Sequence, residues 1–188
     1  MSARSTAAQH PFSRLQPFAD KRAGVVSAVI ETPKGSRNKF DFDPVSGLFY
    51  LGGVLPVGAV FPFDFGFIPG TLGDDGDPLD ILVLLDDGAR SFSGCLVAAR
   101  LLGAIEAEQT EKDGKSERND RLIGVAAESR NYHDWQTLDD VPGNLIEEIE
   151  HFFKSYNSAK GKKFRPLARV GPARAHKLVK AGKRSARR

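Results

Sequence analysis

Short apolar stretches separated by turn residues fill the first two thirds of the chain, and apolar positions recur every three or four residues near its end. Residues 24–31, GVVSAVIE, are mostly apolar and β-branched and predict a strand. Residues 39–43, KFDFD, alternate charge with phenylalanine, placing Lys39 and Asp41 on one face and Phe40 and Phe42 on the other. LFYLGGVL (48–55), LDILVLL (79–85) and DRLIGVAA (120–127) predict three more strands. GCLVAARLLGAIEAEQ (94–109) predicts one or two, bent near Gly103. GAVFPFDFGFIPGTL (58–72) is rich in phenylalanine but broken by Pro62, Gly66 and Pro69, so it reads as an ordered aromatic loop. TEKDGKSERN (110–119) reads as a polar connection.

Helical spacing comes late. VPGNLIEEIEHFFKSYN (141–157) sets Leu145, Ile149, Phe152, Phe153 and Tyr156 three and four residues apart. GPARAHKLVKAG (171–182) predicts a shorter basic helix ending at Gly182, with FRPLARVG (164–171) as a last strand before it. Short strands first and helices last predict an α+β fold: a small closed antiparallel β-barrel, OB-like, with two or three helices packed outside, mostly C-terminal. At 188 residues one domain is expected, over residues 23–180, between a disordered N-terminal arm (1–22) and a basic disordered tail (181–188).

Charge changes this picture at the ends. Of the 27 Lys and Arg, 11 fall in residues 161–188, where there is no acid, so residues 1–160 carry 16 basic against 24 acidic side chains. An acidic body with a basic tail permits contact with polyanions, although a solvated end explains the tail as well. The first 19 residues contain no acid and lack the amphipathic pattern of a transit peptide. No apolar run approaches the roughly 18 residues of a membrane span. The single cysteine, Cys95, excludes an internal disulfide framework and fits a reducing compartment, so a cytoplasmic protein is expected.

The chemistry concentrates in GTLGDDGDPLDILVLL (70–85), where Asp74, Asp75, Asp77 and Asp80 fall within seven residues beside a buried run. Like charges this close destabilise one another unless a cation intervenes. An Asp-Gly pair suits a tight turn without any chemistry, and Asp74 reads that way. A turn does not require Asp77 before a proline or Asp80 at the mouth of an apolar strand. Carboxylates are the hard ligands of Mg²⁺ and Ca²⁺, and the spacing excludes a calcium-binding EF-hand loop. D-G-D-P-x-D suits divalent ions shared with a phosphoryl substrate, the arrangement used for attack on phosphorus.

DDGDPLDILVL, VIETPKGSRNKFDFD, FPFDFGFIPGTL and IEHFFKSYN…KGKKF together resemble the soluble inorganic pyrophosphatases of the barrel type, in the same order and over roughly residues 25–165. The resemblance implies Mg²⁺-dependent hydrolysis of pyrophosphate, with several ions per site, and a homo-oligomer. It implies that Asp75 and Asp80 bind metal, that Asp77 orients or deprotonates the attacking water, and that Glu31 is linked to metal. It implies that Lys39 and Tyr156 contact phosphate. Several positions depart from the family pattern. Asp41 stands for a glutamate, Gly53 for an arginine, Phe61 and Phe65 for tyrosines, and Asn157 for a lysine. In the later acidic segment, aligning on RLIGV places Asn119 at a metal-binding aspartate and Arg121 at a lysine, with Gln109, Glu108, Glu111 or Asp113 near the first acid. Asp120 is the neighbouring candidate metal ligand, reaching the site only if the strand bulges or its register shifts.

Three functions are compatible with these residues: a Mg²⁺-dependent pyrophosphatase, a phosphohydrolase acting on an organic diphosphate beside Phe61 and Phe65, and a barrel that binds polyanions without catalysis. The four acids oppose a nucleic-acid backbone, and no membrane partner is expected.

Overall fold

The computed structural model describes residues 11–186 apart from Asp87, Ala89 and Arg90. A 3-10 turn at Pro11–Arg14 leads to β1 (Phe18–Asp20), β2 (Val25–Thr32), β3 (Asn38–Asp43) and β4 (Leu48–Val54). Then come β5 (Asp64–Phe67), β6 (Asp80–Leu84), β7 (Leu96–Thr110), β8 (Ser116–Arg118) and β9 (Arg121–Ala126). Helix α1 (Gly143–Ala159), strand β10 (Lys163–Val170) and helix α2 (Pro172–Ser185) complete the chain. The α+β fold with late helices outside a curled, OB-like sheet is as expected.

The main sheet runs β1-β2-β5-β6-β9-β7-β10, and β2 also pairs with β7, so the strands form a ring-like sheet rather than a closed antiparallel barrel. One pairing departs from the expected antiparallel pattern: β6 and β9 are parallel, with Ile81 opposite Leu122. β7, 15 residues long, pairs with β2, β8, β9 and β10, and its register against β9 shifts between Leu101 and Gly103, where the bend was expected. A side chain at Gly103 would meet the Val170 carbonyl oxygen at 2.2 Å, so only glycine lets β10 approach there. The β3–β4 hairpin forms a separate two-stranded sheet.

Two segments read as loops contain strands. β5 lies inside the aromatic segment because Pro62 and Pro69 flank it without interrupting it. Its Gly66 faces the Val29 carbonyl oxygen, 1.9 Å from where a Cβ would sit. β8 folds back on the end of β7 around Gly114, with Thr110 opposite Ser116.

The ends also differ from the expected disordered arms. Phe12 packs edge-on against Phe42, with ring centroids 4.9 Å apart, and β1 pairs with β2. At the other end α2 passes through Gly182 to Ser185, because Gly182 is packed against Leu79 and Thr71 and its carbonyl accepts from Leu72 N–H at 3.1 Å. The rest of the expected N-terminal arm, residues 1–10, and Arg187 and Arg188 of the tail lie outside the described residues.

Two apolar clusters hold the fold. One joins Phe61, Phe65, Leu82, Ile123, Ile149 and Phe153 between the sheet and α1. The other joins Val26, Ile30, Ile81, Leu101, Ala175 and Val179 between the sheet and α2. No helix among the described residues is long and apolar enough to cross a membrane.

Candidate active site

β6 anchors the acidic cluster. Residues 81–84 are buried, so Asp80, first in the strand, is held at the edge of the core. The turn before it is fixed by its own backbone: Gly73 N–H donates to the Asp77 carbonyl at 2.7 Å and Asp77 N–H to Asp75 Oδ1 at 3.2 Å. Gly76 has φ of +87°, a conformation glycine adopts without strain. Thr71 ties the ends of the loop, accepting from Leu79 N–H at 3.0 Å and donating to the Ile68 carbonyl at 2.6 Å.

The parallel β6–β9 pairing has a consequence for the site. Asp80 and Arg121 each open one of these two strands, so they stand side by side and Arg121 Nη1 donates to Asp80 Oδ2. The same nitrogen donates to Asn119 Oδ1. The guanidinium is buried against the rings of Phe153 and Phe164, 4.8 and 5.4 Å from their centroids, an arrangement favourable to a planar cation.

Glu31, near the end of β2, accepts from Phe42 N–H at 2.9 Å. Lys39 and Asp41 form an ion pair on the same face of β3. Gly52 leaves room for that carboxylate: a Cβ there would fall 1.6 Å from Asp41 Oδ2.

These groups open on one cavity of about 640 Å³. Glu31, Asp75, Asp77 and Asp80 line it, as do Lys39, Asp41, Asn119, Arg121 and Tyr156. Of the residues expected at the site, Asp120 alone does not line it. The strand begins in regular register at Arg121, and the Asp120 carboxylate turns away to accept from Ala107 N–H at 2.9 Å and Arg118 Nη2 at 2.8 Å. It faces a second pocket of about 400 Å³, which Asp74 also lines. Phe61 and Phe65 line the main cavity but are nearly fully buried, within an aromatic cluster that includes Phe152 and Phe153.

Among the side chains that the sequence reading did not assign to the site and that line it are two lysines and a serine. Lys160 and Lys162 line the cavity from the end of α1 and the turn after it, and Ser13 reaches it from the N-terminal segment. The signal for Lys160 was its place four residues after Tyr156, on the same helical face.

The cavity is electrostatically unbalanced. Burial pushes Glu31 up to about 7, against the pull of Lys39, and Asp75 up to about 6. Burial likewise raises Asp80 despite Arg121. Desolvation lowers Lys39, and burial together with Lys39 and Lys162 lowers Lys160 to about 8. Burial holds the Tyr156 hydroxyl protonated well beyond its ordinary range. Crowded, desolvated carboxylates of this kind fit a site for divalent cations. Among the described residues, no three His, Cys, Asp or Glu side chains converge tightly enough to hold one ion alone. Each ion would therefore take few protein ligands and complete its shell with water or substrate oxygens, which is how Mg²⁺ is usually held.

A ring-like sheet with external helices thus carries a cavity of acids, lysines and a buried arginine, a lining that suits divalent cations together with a phosphorylated anion. The inorganic pyrophosphatase family model matches residues 28–187, and the chain belongs to that family. It is 42% identical over 147 residues to the inorganic pyrophosphatase of Thermus thermophilus, covering 78% of this chain and 80% of that protein. It is 38% identical over 144 residues to that of Synechocystis, covering 77% of this chain and 81% of that one. Among solved structures, the Thermus thermophilus enzyme superposes with a TM-score of 0.82 at 36% identity, covering 94% of this chain and 99% of that one. The Neisseria gonorrhoeae enzyme gives a TM-score of 0.83 at 28% identity, with the same coverage.

Proposed function

We propose that the chain hydrolyses inorganic pyrophosphate to two phosphates with Mg²⁺. The observation that carries this is the single cavity in which Glu31, Asp75, Asp77 and Asp80 meet Lys39, Arg121 and Tyr156. Bound at the acids, Mg²⁺ would neutralise phosphate oxygens and acidify a water molecule. Glu31, Asp75 and Asp80 would share out carboxylate oxygens among the ions, with Asn119 offering only a neutral carbonyl oxygen. Asp77 takes the proton of the attacking water. The water oxygen bonds to phosphorus as the bond from phosphorus to the bridging oxygen breaks, and the second phosphate leaves. Lys39 and Arg121 hold phosphate oxygens, Lys39 as a point charge and Arg121 as a fixed planar donor. Tyr156 donates a hydrogen bond from its hydroxyl to the substrate, since that group stays protonated.

An organic group beside the phosphates would need an open apolar surface, and Phe61 and Phe65 are 1% and 5% exposed. A reducing, cytoplasmic setting is supported by the single cysteine. Self-association is supported by Leu48, Leu51 and Val54 of β4 and by Val57, each more than half exposed.

The test is phosphate release from pyrophosphate with Mg²⁺, run beside nucleotides and sugar diphosphates. Release from pyrophosphate and its loss by about 100-fold or more in Asp77→Asn are expected, the range for removing a general base. An unchanged rate in that variant overturns the role of Asp77, and release only from organic diphosphates overturns the substrate.

A further inference from the structure

The mechanism above leaves two of the cavity's cations, Lys160 and Lys162, without a task. Lys39, Arg121 and Lys162 line the cavity, and each meets a carboxylate: Asp41, Asp80 and, at 2.8 Å, Glu111. Lys160 lines the same cavity, yet among the described residues it has no carboxylate partner. Its Nζ donates to the Tyr156 hydroxyl and lies 4.4 Å from that ring's centroid.

The backbone holds Lys160 in place. It caps α1, its N–H donating to the carbonyls of Asn157 and Ser158, and the chain then turns sharply at Gly161 with φ of +72°. Asn157, the residue directly after Tyr156, brings no charge, and its Nδ2 donates to the Phe153 carbonyl at 2.9 Å. The ammonium that reaches the cavity from this helix therefore comes one turn later.

We propose that Lys160 is a substrate-binding residue, which grips a phosphate oxygen of pyrophosphate together with the Tyr156 hydroxyl. The assignment rests on the reading of the cavity as a pyrophosphate site. A partly desolvated ammonium without a counter-ion is unfavourable until an anion arrives. Lys39 and Lys162 add repulsion that a multiply charged phosphate would reverse. Because the Tyr156 oxygen accepts from Nζ, its own O–H remains available to donate. The pair thus presents two adjacent donors to one phosphate group.

The experiment compares wild-type protein, Lys160→Ala and Lys160→Arg, with circular dichroism confirming that both variants are folded. Methylenediphosphonate with Mg²⁺ is the binding probe, titrated by calorimetry. Lys160→Ala is expected to bind it about tenfold more weakly, the size of one charge-assisted hydrogen bond, and Lys160→Arg to stay near wild type. In steady-state assays the alanine variant is expected to raise KM for pyrophosphate more than it lowers kcat. An amine-acylating reagent followed by peptide mass spectrometry is expected to modify Lys160 in the free protein, with methylenediphosphonate slowing that modification.

Equal probe binding by wild type and Lys160→Ala, or labelling of Lys160 unaffected by the probe, overturns the assignment. If the probe binds and protects Lys160 but wild-type protein releases no phosphate from pyrophosphate, the hydrolase reading fails and the Lys160 contact stands. If phosphate is released and Lys160→Ala keeps wild-type binding and KM, only the Lys160 assignment fails.

Discussion

Asn119→Asp tests whether residue 119 belongs among the metals. Arg121 Nη1 donates to both Asn119 Oδ1 and Asp80 Oδ2, so the two acceptors stand within two hydrogen-bond lengths of each other. A carboxylate at 119 would thus lie no more than about 6 Å from that of Asp80. At that separation two unit charges repel by about 3 kcal/mol in an effective dielectric of about 20. The shared guanidinium offsets part of this, leaving about 1–2 kcal/mol of destabilisation in metal-free protein. For a chain of this size that is a fall in Tm of about 2–8 °C. A divalent ion between the two carboxylates removes the repulsion and gains a ligand. The assay is thermal unfolding of both proteins in chelator and in a Mg²⁺ series. The variant is expected to melt lower in chelator and to gain more from Mg²⁺, with its half-maximal shift at a lower concentration. Identical Mg²⁺-induced shifts in the two proteins would refute the placement of residue 119 beside the ions.

Asp120→Ala is expected to leave pyrophosphate hydrolysis near wild type while costing about 1–3 kcal/mol in urea unfolding, because the buried Ala107 N–H loses its acceptor. A large loss of activity without loss of stability would return Asp120 to the site. Gly66→Ala is expected to destabilise by about 1–3 kcal/mol or more, since its Cβ would sit 1.9 Å from the Val29 carbonyl oxygen; unchanged urea unfolding would show that β2 and β5 can separate freely. Lys160 has its pKa lowered to about 8, so it carries its charge below that pH and loses it above. If it binds substrate, kcat/KM for pyrophosphate is expected to fall as pH rises through about 8, and Lys160→Arg, charged throughout, is expected to remove that fall.

The parts of the fold legible in the sequence were those whose periodicity had no competitor. β2, β6 and β9 are apolar runs of strand length, and α1 carries its apolar side chains at helical spacing. β5 was hidden because Pro62 and Gly66 are ordinarily strand breakers. Their effect depends on facts the sequence does not carry: Pro62 lies just outside the strand, and Gly66 is there to admit a neighbouring backbone. β8 was hidden because three polar residues have no apolar face to reveal, and the strand exists only as the return of a hairpin on β7. The parallel β6–β9 pairing is a matter of topology, which local spacing leaves open.

The site divides along the same line. Asp75, Asp77 and Asp80 are close in sequence, and a short turn before a buried strand allows them few arrangements. Arg121 and Lys160 are different, because a cation's role depends on what it faces, and that is decided by distant segments. Arg121 is matched to Asp80 because two parallel strands start side by side. Lys160 has no carboxylate partner among the described residues, while Glu111 pairs with Lys162, two residues further along the turn. By the resemblance, Gly53, Asn119 and Asn157 stand where charged groups are expected, and read one at a time they suggest a weakened site. In the fold the losses are not independent. Asn119 removes a negative charge next to a buried guanidinium that already serves Asp80, and the uncharged Asn157 is followed one turn later by an ammonium on the face of Tyr156. The positive charge at the end of α1 is therefore better described as moved than as lost. That distinction predicts that restoring a single family residue, such as Asn157→Lys, would crowd Lys160 and fail to improve pyrophosphate binding, and a lower KM in that variant would count against it.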